Sequence, residues 1–410
     1  MERLLNIKYS GLNGTYWMFY AVITSFSSAF LLARGYSNGE IGVILAAGNV
    51  AAVFLQPVMA DFADRSKKIS LLGFLQLSTI LLMVLTFFLF VLGEKSAALW
   101  VVYVMNVAWF ISIQPLFNSL AFKLEETGAH INFGVCRSVG SLCYAILCAF
   151  LGTLVEAAGV QILPVTGEII LVALMITLII TKTQFNRMVG EKTAGTCEIA
   201  AKAAGSMSGP SGQEEEEINL LRFIKRNKLF VVINVACLGI FFGNSILNNF
   251  MLQVVEGVGG SSEDMGRIFS VMAFLEIPAL ALFDRIRKRF SCQFLLKVGA
   301  ISFFIKILLI YLADSVTMLY VAHLFQTTSF GIFLPAMVLF INEIMAKGEA
   351  VKGQALYTVM TTVSSVAASI CGGFVLDYSG PKFLLLLSSV FTIIGAAAVL
   401  IFIDRIKRRE

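Results

Sequence analysis

The sequence predicts an all-α membrane protein, with twelve spanning helices in two pseudo-symmetric six-helix bundles joined by a polar linker. Three observations carry that expectation. Apolar residues make up 58% of the 410, charged residues only 14%, and mean hydropathy is +0.85; a water-soluble surface needs more charge than this. The apolar residues gather in runs of about 20, the length that crosses a bilayer as a helix. Two sequence patterns recur at an offset of about 220 residues, as in transporters built from repeated halves.

Candidate spans lie near residues 12–34, 41–60, 69–92, 97–122, 133–156 and 162–182, then near 229–252, 264–283, 291–313, 315–343, 353–376 and 382–403. Met1 to Lys8 is short and polar, and no small-residue cleavage pattern follows, so the first run reads as a retained helix rather than a signal peptide. Residues 1–182 and 229–410 form the two bundles, and 183–228 is a linker. Its small residues and its acidic run Glu214 to Glu217 cannot bury enough surface to order themselves, so a flexible tether is expected. Of seven cysteines, Cys136, Cys143, Cys148, Cys237 and Cys371 lie in apolar runs and Cys197 in the linker. No spacing suggests a disulfide framework or a metal site, so they read as small apolar fillers.

Basic residues cluster in alternate loops: Arg65, Lys67 and Lys68; Arg285, Arg287, Lys288 and Arg289; Arg405, Lys407, Arg408 and Arg409. The remaining loops are poor in Lys and Arg. This asymmetry places both termini and the linker in the cytoplasm. It also explains the net charge of +5 without any nucleic-acid partner. The two repeats are Asp64-Arg65 with Asp284-Arg285, each following an apolar run entered by a glycine (Gly42, Gly266), and the Gly134 to Gly152 helix with the Gly353 to Gly373 helix.

Ionisable and polar groups inside hydrocarbon are costly and usually line a cavity. Arg137 sits one turn into the fifth run, where its planar guanidinium suits vicinal hydroxyls or a carboxylate, unless it snorkels to the interface. Glu276, in AFLEIPAL, is a candidate for binding the proton or the substrate, unless it only pairs with a lysine. Lys306, in SFFIKILLIY, is that partner if the fold brings the two together. His323 is either a coupling group or a core histidine bonded to a helix carbonyl. Asn244, Asn248 and Asn249 form a polar stripe, as cavity lining or as glue between helices. On the fourth helix Asn106, Trp109, Gln114, Asn118 and Ser119 are candidate lining residues.

These residues carry a family resemblance. Asp61 to Lys68, with Ala60 at the motif's first glycine, resembles the G-x-x-x-D-R-x-G-R-R loop of the major facilitator superfamily, and Asp284-Arg285 echoes it. Gly42 to Ala47 and Leu55-Gln56-Pro57 resemble the second helix of that superfamily's lactose-permease group. Asn132-Phe133-Gly134 with Arg137 and Gly140 resembles its fifth helix, and Ser329-Phe330-Gly331 through Pro335 its tenth.

The resemblance implies the major facilitator fold, alternating access, and a cytoplasmic gate at Asp64, Arg65, Asp284 and Arg285. It implies that Arg137 grips the solute, that Tyr144 stacks on it, and that Glu276 couples it to a proton with Lys306 as its basic neighbour. It places the group's coupling histidine at Gln326 in one register and at His323 in the other. The acidic residue that should follow is missing, as is the group's carboxylate at Ser119. Asn244 and Thr361 fall where the group has an Asp–Lys pair, and losing both charges strands neither.

The expected function is therefore proton-coupled import of a small polar solute, such as a sugar or nucleoside. Substrate contacts are expected from Arg137, Asn118, Ser119, Tyr144, Asn244, Asn248, Glu276 and Gln326, and proton coupling from Glu276, Lys306 and His323. The alternatives are a uniporter, or an efflux transporter for an apolar or aromatic-acid compound. With two widely spaced histidines and no catalytic cluster, an enzyme is not expected. No cofactor beyond the proton is expected either. The chain is expected to act as a monomer in a lipid bilayer, a bacterial inner membrane given the group's usual hosts and the absence of targeting extensions.

Overall fold

The computed structural model describes residues 2–65, 70–125, 130–200, 223, 226–345 and 349–406, with the side chains of residues 2, 64, 65 and 189–200 outside that description. Among these residues the chain is helical, without strands. Ten helices are long and apolar enough to span a membrane, and a bent pair at the N-terminus makes an eleventh. The longest helix, Ala350–Phe402, contains Gly380 at φ 75° and ψ 178°. Gly tolerates that backbone, and the following Pro381 disfavours helix in the residue before it, so this element is two spans and the total is twelve.

We number them α1 (2–33), α2 (Asn38–Arg65), α3 (Leu71–Val91), α4 (Ala97–Glu125), α5 (Phe133–Ala158), α6 (Ile162–Ala200), α7 (Lys228–Glu256), α8 (Ser262–Arg287), α9 (Cys292–Leu312), α10 (Val316–Ile344), α11 (350–379) and α12 (381–402). Two boundaries differ from the sequence reading. Helix α1 opens at Glu2, because Leu5 and Tyr9 are fully buried and tie the first turns to the bundle. Helix α6 continues beyond 182 to Ala200, into the expected linker; residues 201–222 of that linker lie outside the described residues.

Three breaks in the helices shape the interior. Helix α1 passes through a π-helical turn at Ala21–Ser25 and bends by 43°, a local widening of the kind often found at functional positions. Helix α4 breaks at Ile113, just before Gln114-Pro115. Pro115 cannot donate to the carbonyl of Ile111, and the Gln56 amide donates to that carbonyl instead at 3.4 Å. Helix α10, expected to be continuous, is interrupted by a 3-10 turn at Leu324–Gln326.

Glycines recur in the hairpins at the offset of the sequence repeats. Positive-φ glycines mark the α1–α2, α5–α6, α7–α8 and α11–α12 hairpins: Gly35, Gly159, Gly259 and Gly380. They pair at offsets of 224 (259 against 35) and 221 (380 against 159) residues. All four lie at one end of the molecule, the end of the Lys- and Arg-poor loops. At this hairpin end the two halves cross at α2 with α11 and at α5 with α8. A Cβ on Gly42 would lie 2.1 Å from the Ser369 carbonyl oxygen, and one on Gly152 would lie 2.3 Å from that of Ser262, so only glycine permits either approach.

The core follows the same division. One apolar cluster fills the first half along its length, from Leu5 and Leu124 to Phe26 and Leu31, and near the hairpin end it continues into the second half at Ile246, Phe250, Met265 and Ile268. At the opposite, basic end the second half has a core of its own, with Phe283, Phe340, Tyr357 and Val399. The halves are thus fused at the hairpin end and packed separately at the basic end, with a cleft between them.

Candidate substrate site

The break in each half brings polar side chains to the middle of this cleft. There they line a cavity of about 320 Å3, within the range of small-molecule sites. Of the residues from which the sequence reading expected substrate contacts, Arg137, Tyr144, Asn244, Asn248, Glu276 and Gln326 line it.

One wall is a chain of hydrogen bonds in the second half. Lys306 is fully buried on α9. Its Nζ donates to Gln326 Oε1 at 2.8 Å and to Asn244 Oδ1 at 3.2 Å. Gln326 Nε2 donates in turn to Glu276 Oε1 at 2.6 Å. An amide presents one acceptor and one donor group, so Gln326 bridges an ammonium and a carboxylate that do not touch directly. The 3-10 turn of α10 is what places Gln326 between them.

The other wall belongs to the first half. The Arg137 guanidinium lies over the Trp17 ring, 3.8 Å from its centroid, and donates to Ser141 Oγ at 3.0 Å. The bend in α1 brings Ser25 to within 2.8 Å of the Tyr144 hydroxyl. Arg137 therefore points into the cleft, held by an aromatic face, and does not snorkel away. Trp17, Tyr20, Gln114, Phe269 and Phe330 complete much of the surface. The sequence reading weighed Gln114 and passed over the aromatics. Trp17 and Tyr20 stand three residues apart, a spacing that shares a helix face but equally describes core packing.

Other expected residues are placed differently. Asn118 and Ser119 are exposed and do not line the cavity; Ser119 Oγ donates to the Leu116 carbonyl at 3.0 Å. Asn118 sits one turn beyond Gln114 on α4, and after the break at Ile113 it is Gln114 that reaches the cavity. Asn106 donates to Thr86 at 3.0 Å inside the first half. His323 is fully buried, and its Nδ1 faces the Leu319 carbonyl at 2.7 Å; bound to its own helix, it does not join the Glu276 chain. Of the Asn stripe, Asn249 is glue, donating to Ser369 at 2.8 Å. Asp284 and Arg285 are exposed at the end of α8. The side chains of Asp64 and Arg65, the rest of the expected gate, lie outside the described residues.

The hairpin end carries polar contacts between the halves that the sequence reading missed. Asp377, near the end of α11, accepts from the Asn38 backbone at 3.0 Å, the Gly39 backbone at 2.7 Å and Asn38 Nδ2 at 3.0 Å. It caps the N-terminus of α2 across the cleft, where a carboxylate satisfies orphan N–H groups and the helix dipole together. Gln253 of α7 donates to Asn38 Oδ1 at 2.8 Å. Thr153 of α5 donates to Glu263 of α8 at 3.0 Å.

The sequence and the fold have counterparts among known proteins. The model of the MFS_1 like family matches residues 9–387. An uncharacterized transporter, YwbF, of Bacillus subtilis (strain 168) is 21% identical over 98% of this chain and 95% of its own length. A probable 3-phenylpropionic acid transporter of Escherichia coli (strain K12) is 22% identical over 89% of this chain and 90% of its own. The crystal structure of the nucleoside transporter NupG superposes with a TM-score of 0.73 at 14% identity, covering 99% of this chain and all of that one; at that identity it speaks for the fold alone.

Proposed function

Because the chain belongs to the major facilitator superfamily, and is thus a multi-pass membrane transporter of small molecules rather than an enzyme, we propose that it imports a ring-bearing polar solute together with protons. The observation that carries this reading is the Glu276–Gln326–Lys306 chain facing Arg137 across the cavity. Solute and proton meet in one site, at the junction of two halves that can rock.

A ligand shifts a conformational equilibrium only through contacts that differ between the two states. Here a solute held by Arg137 on the first half and by Glu276 and Gln326 on the second ties the halves together through the cavity. Proton uptake by Glu276 changes the bond to Gln326 and so the same contact set. The two ligands are then coupled, and each changes the other's affinity by the same factor. The aromatic walls, Trp17, Tyr20 and Tyr144 among them, favour a solute with a flat ring face.

The basic loops set the proposed orientation: both termini in the cytoplasm, the cleft open to that side and the hairpin end closed to the outside. We take the protein to be a monomer in a bacterial cell membrane.

Uptake into proteoliposomes tests the reading. A panel of labelled sugars, nucleosides and aromatic acids is offered with and without an inward proton gradient. Accumulation above equilibrium is expected for the wild type, and mere equilibration for Glu276→Gln. Uptake that ignores the gradient would make the protein a uniporter, the reading that the neutral Gln326 otherwise favours.

A further inference from the structure

Arg137 offers the cavity a cationic edge that no side chain among the described residues pairs directly, and that edge bears on the identity of the solute. Arg137 and one carboxylate, Glu276, line the cavity, and Lys306 is buried behind it, one hydrogen bond away through Gln326 and Asn244. The other titratable groups that face it are phenols, Tyr20 and Tyr144, and the buried His323 is tied to its own helix. Glu276 is spoken for: its Oε1 takes the Gln326 amide, which is held by Lys306.

Glu276 acts on Arg137 only across the cavity, without a direct bond. Among the described residues no carboxylate approaches it within ion-pair distance; its contacts are the Ser141 hydroxyl and the Trp17 face. Arg is effectively always charged and has five N–H donors, of which the Ser141 bond uses one. A cation that is held in a low-dielectric cleft with its nitrogens unpaired gains from an anion that pairs with it directly.

Building on the proton-coupled reading above, we propose that the transported solute is itself that anion: a monocarboxylate on a planar ring, moved with one proton in an electroneutral cycle. The carboxylate takes the free edge of Arg137, where paired N–H donors match its two oxygens. The ring lies among Trp17, Tyr20, Phe269 and Phe330.

The stoichiometry follows from the same tally. Protonating Glu276 adds one positive charge to the cavity, whichever protonation state Lys306 holds, and binding one carboxylate removes it. Loading both ligands leaves the net charge of the site as it was, so the loaded and empty forms cross the membrane field alike. A neutral sugar or nucleoside would leave the added charge uncompensated.

Two measurements test this. Calorimetric titration of the purified protein with benzoate and 3-phenylpropionate, their primary amides, and uridine reads the charge requirement. The acids are expected to bind at least tenfold tighter than the amides. Arg137→Gln should erase that preference, and Arg137→Lys, which keeps the charge but not the fork, should retain part of it. Size-exclusion elution at the wild-type volume shows that each variant is folded. Binding of the amides or uridine as tightly as the acids, or no binding of any ring acid, overturns the proposal.

In proteoliposomes, a pH gradient alone should drive uptake of the acid, and a potassium–valinomycin potential alone should not. Uptake driven by the potential alone overturns electroneutrality. The two readings fail separately: uridine accumulating in a Glu276-dependent way would sink the carboxylate and keep the proton coupling. Selective acid binding with gradient-blind uptake would do the reverse.

Discussion

The two places where the halves cross are built alike and locked differently. At α2 with α11 and at α5 with α8, glycines let one backbone lie directly on another. Added Cβ atoms would fall 2.1 and 2.2 Å from carbonyl oxygens at Gly42 and Gly373, and 2.3 and 2.5 Å at Gly152 and Gly266. The hydrogen bonding breaks this symmetry. Both helices cap themselves with a box, Ser37 with Glu40 before α2 and Ser261 with Asp264 before α8; but α2 is capped a second time by Asp377 of the other half, whereas α8 receives from the other half only a side-chain bond, from Thr153 to Glu263. Opening the hairpin end therefore strips the second, charged cap from α2 and leaves both boxes intact. Internal duplication accounts for the glycines, and the later divergence of the halves put the latch on one side.

Three substitutions would break or sharpen this comparison. Gly42→Val should have the largest effect, since it drives a branched side chain into the Ser369 carbonyl. Overpacking costs about 1–3 kcal/mol, roughly 5–150-fold in the closed-to-open ratio. Spin-label distances between α2 and α11 should lengthen and uptake should fall by about tenfold or more; unchanged distances would mean that the crossing is not tight.

Asp377→Asn should come next. Losing a charged cap on the α2 N-terminus costs about 1–2 kcal/mol, or about 5–30-fold, read as a larger open population at α2 with α11 in the same distance measurement. An effect no larger than that of a Thr153 variant at the α5–α8 crossing would remove the asymmetry. Thr153→Val should do least. Its bond reaches a surface carboxylate, and its loss is worth about 0.5 kcal/mol, roughly a factor of two in the open population.

Much of the molecule was legible in the amino-acid order. Runs of the right length, loop charge and the offset glycine patterns led to twelve helices in two halves, because lipid demands long apolar helices and duplication leaves its spacing behind. In the site, Arg137, Glu276, Lys306 and Gln326 stood out because polar groups within apolar runs are rare enough to need a reason. Trp17 and Tyr20 did not, since aromatic residues in a chain with 35 phenylalanines carry no such signal. Asn118 and Ser119 lie outside the cavity because Asn118, on the face of Gln114, stands one turn further along α4, beyond the lining residue, a difference in depth that spacing does not show.

Sequence by itself determined that the chain spans a membrane many times, in two repeats, with scarce charges reserved for its interior. Those properties follow from composition and local pattern, which the bilayer reads directly. Only the tertiary structure decided which of those charges meet. That Gln326 stands between Glu276 and Lys306, that Arg137 rests on Trp17 without a carboxylate, and that Asp377 caps a helix 339 residues away depend on helix breaks and crossings. These are set by the packing of distant segments, and no local spacing encodes them.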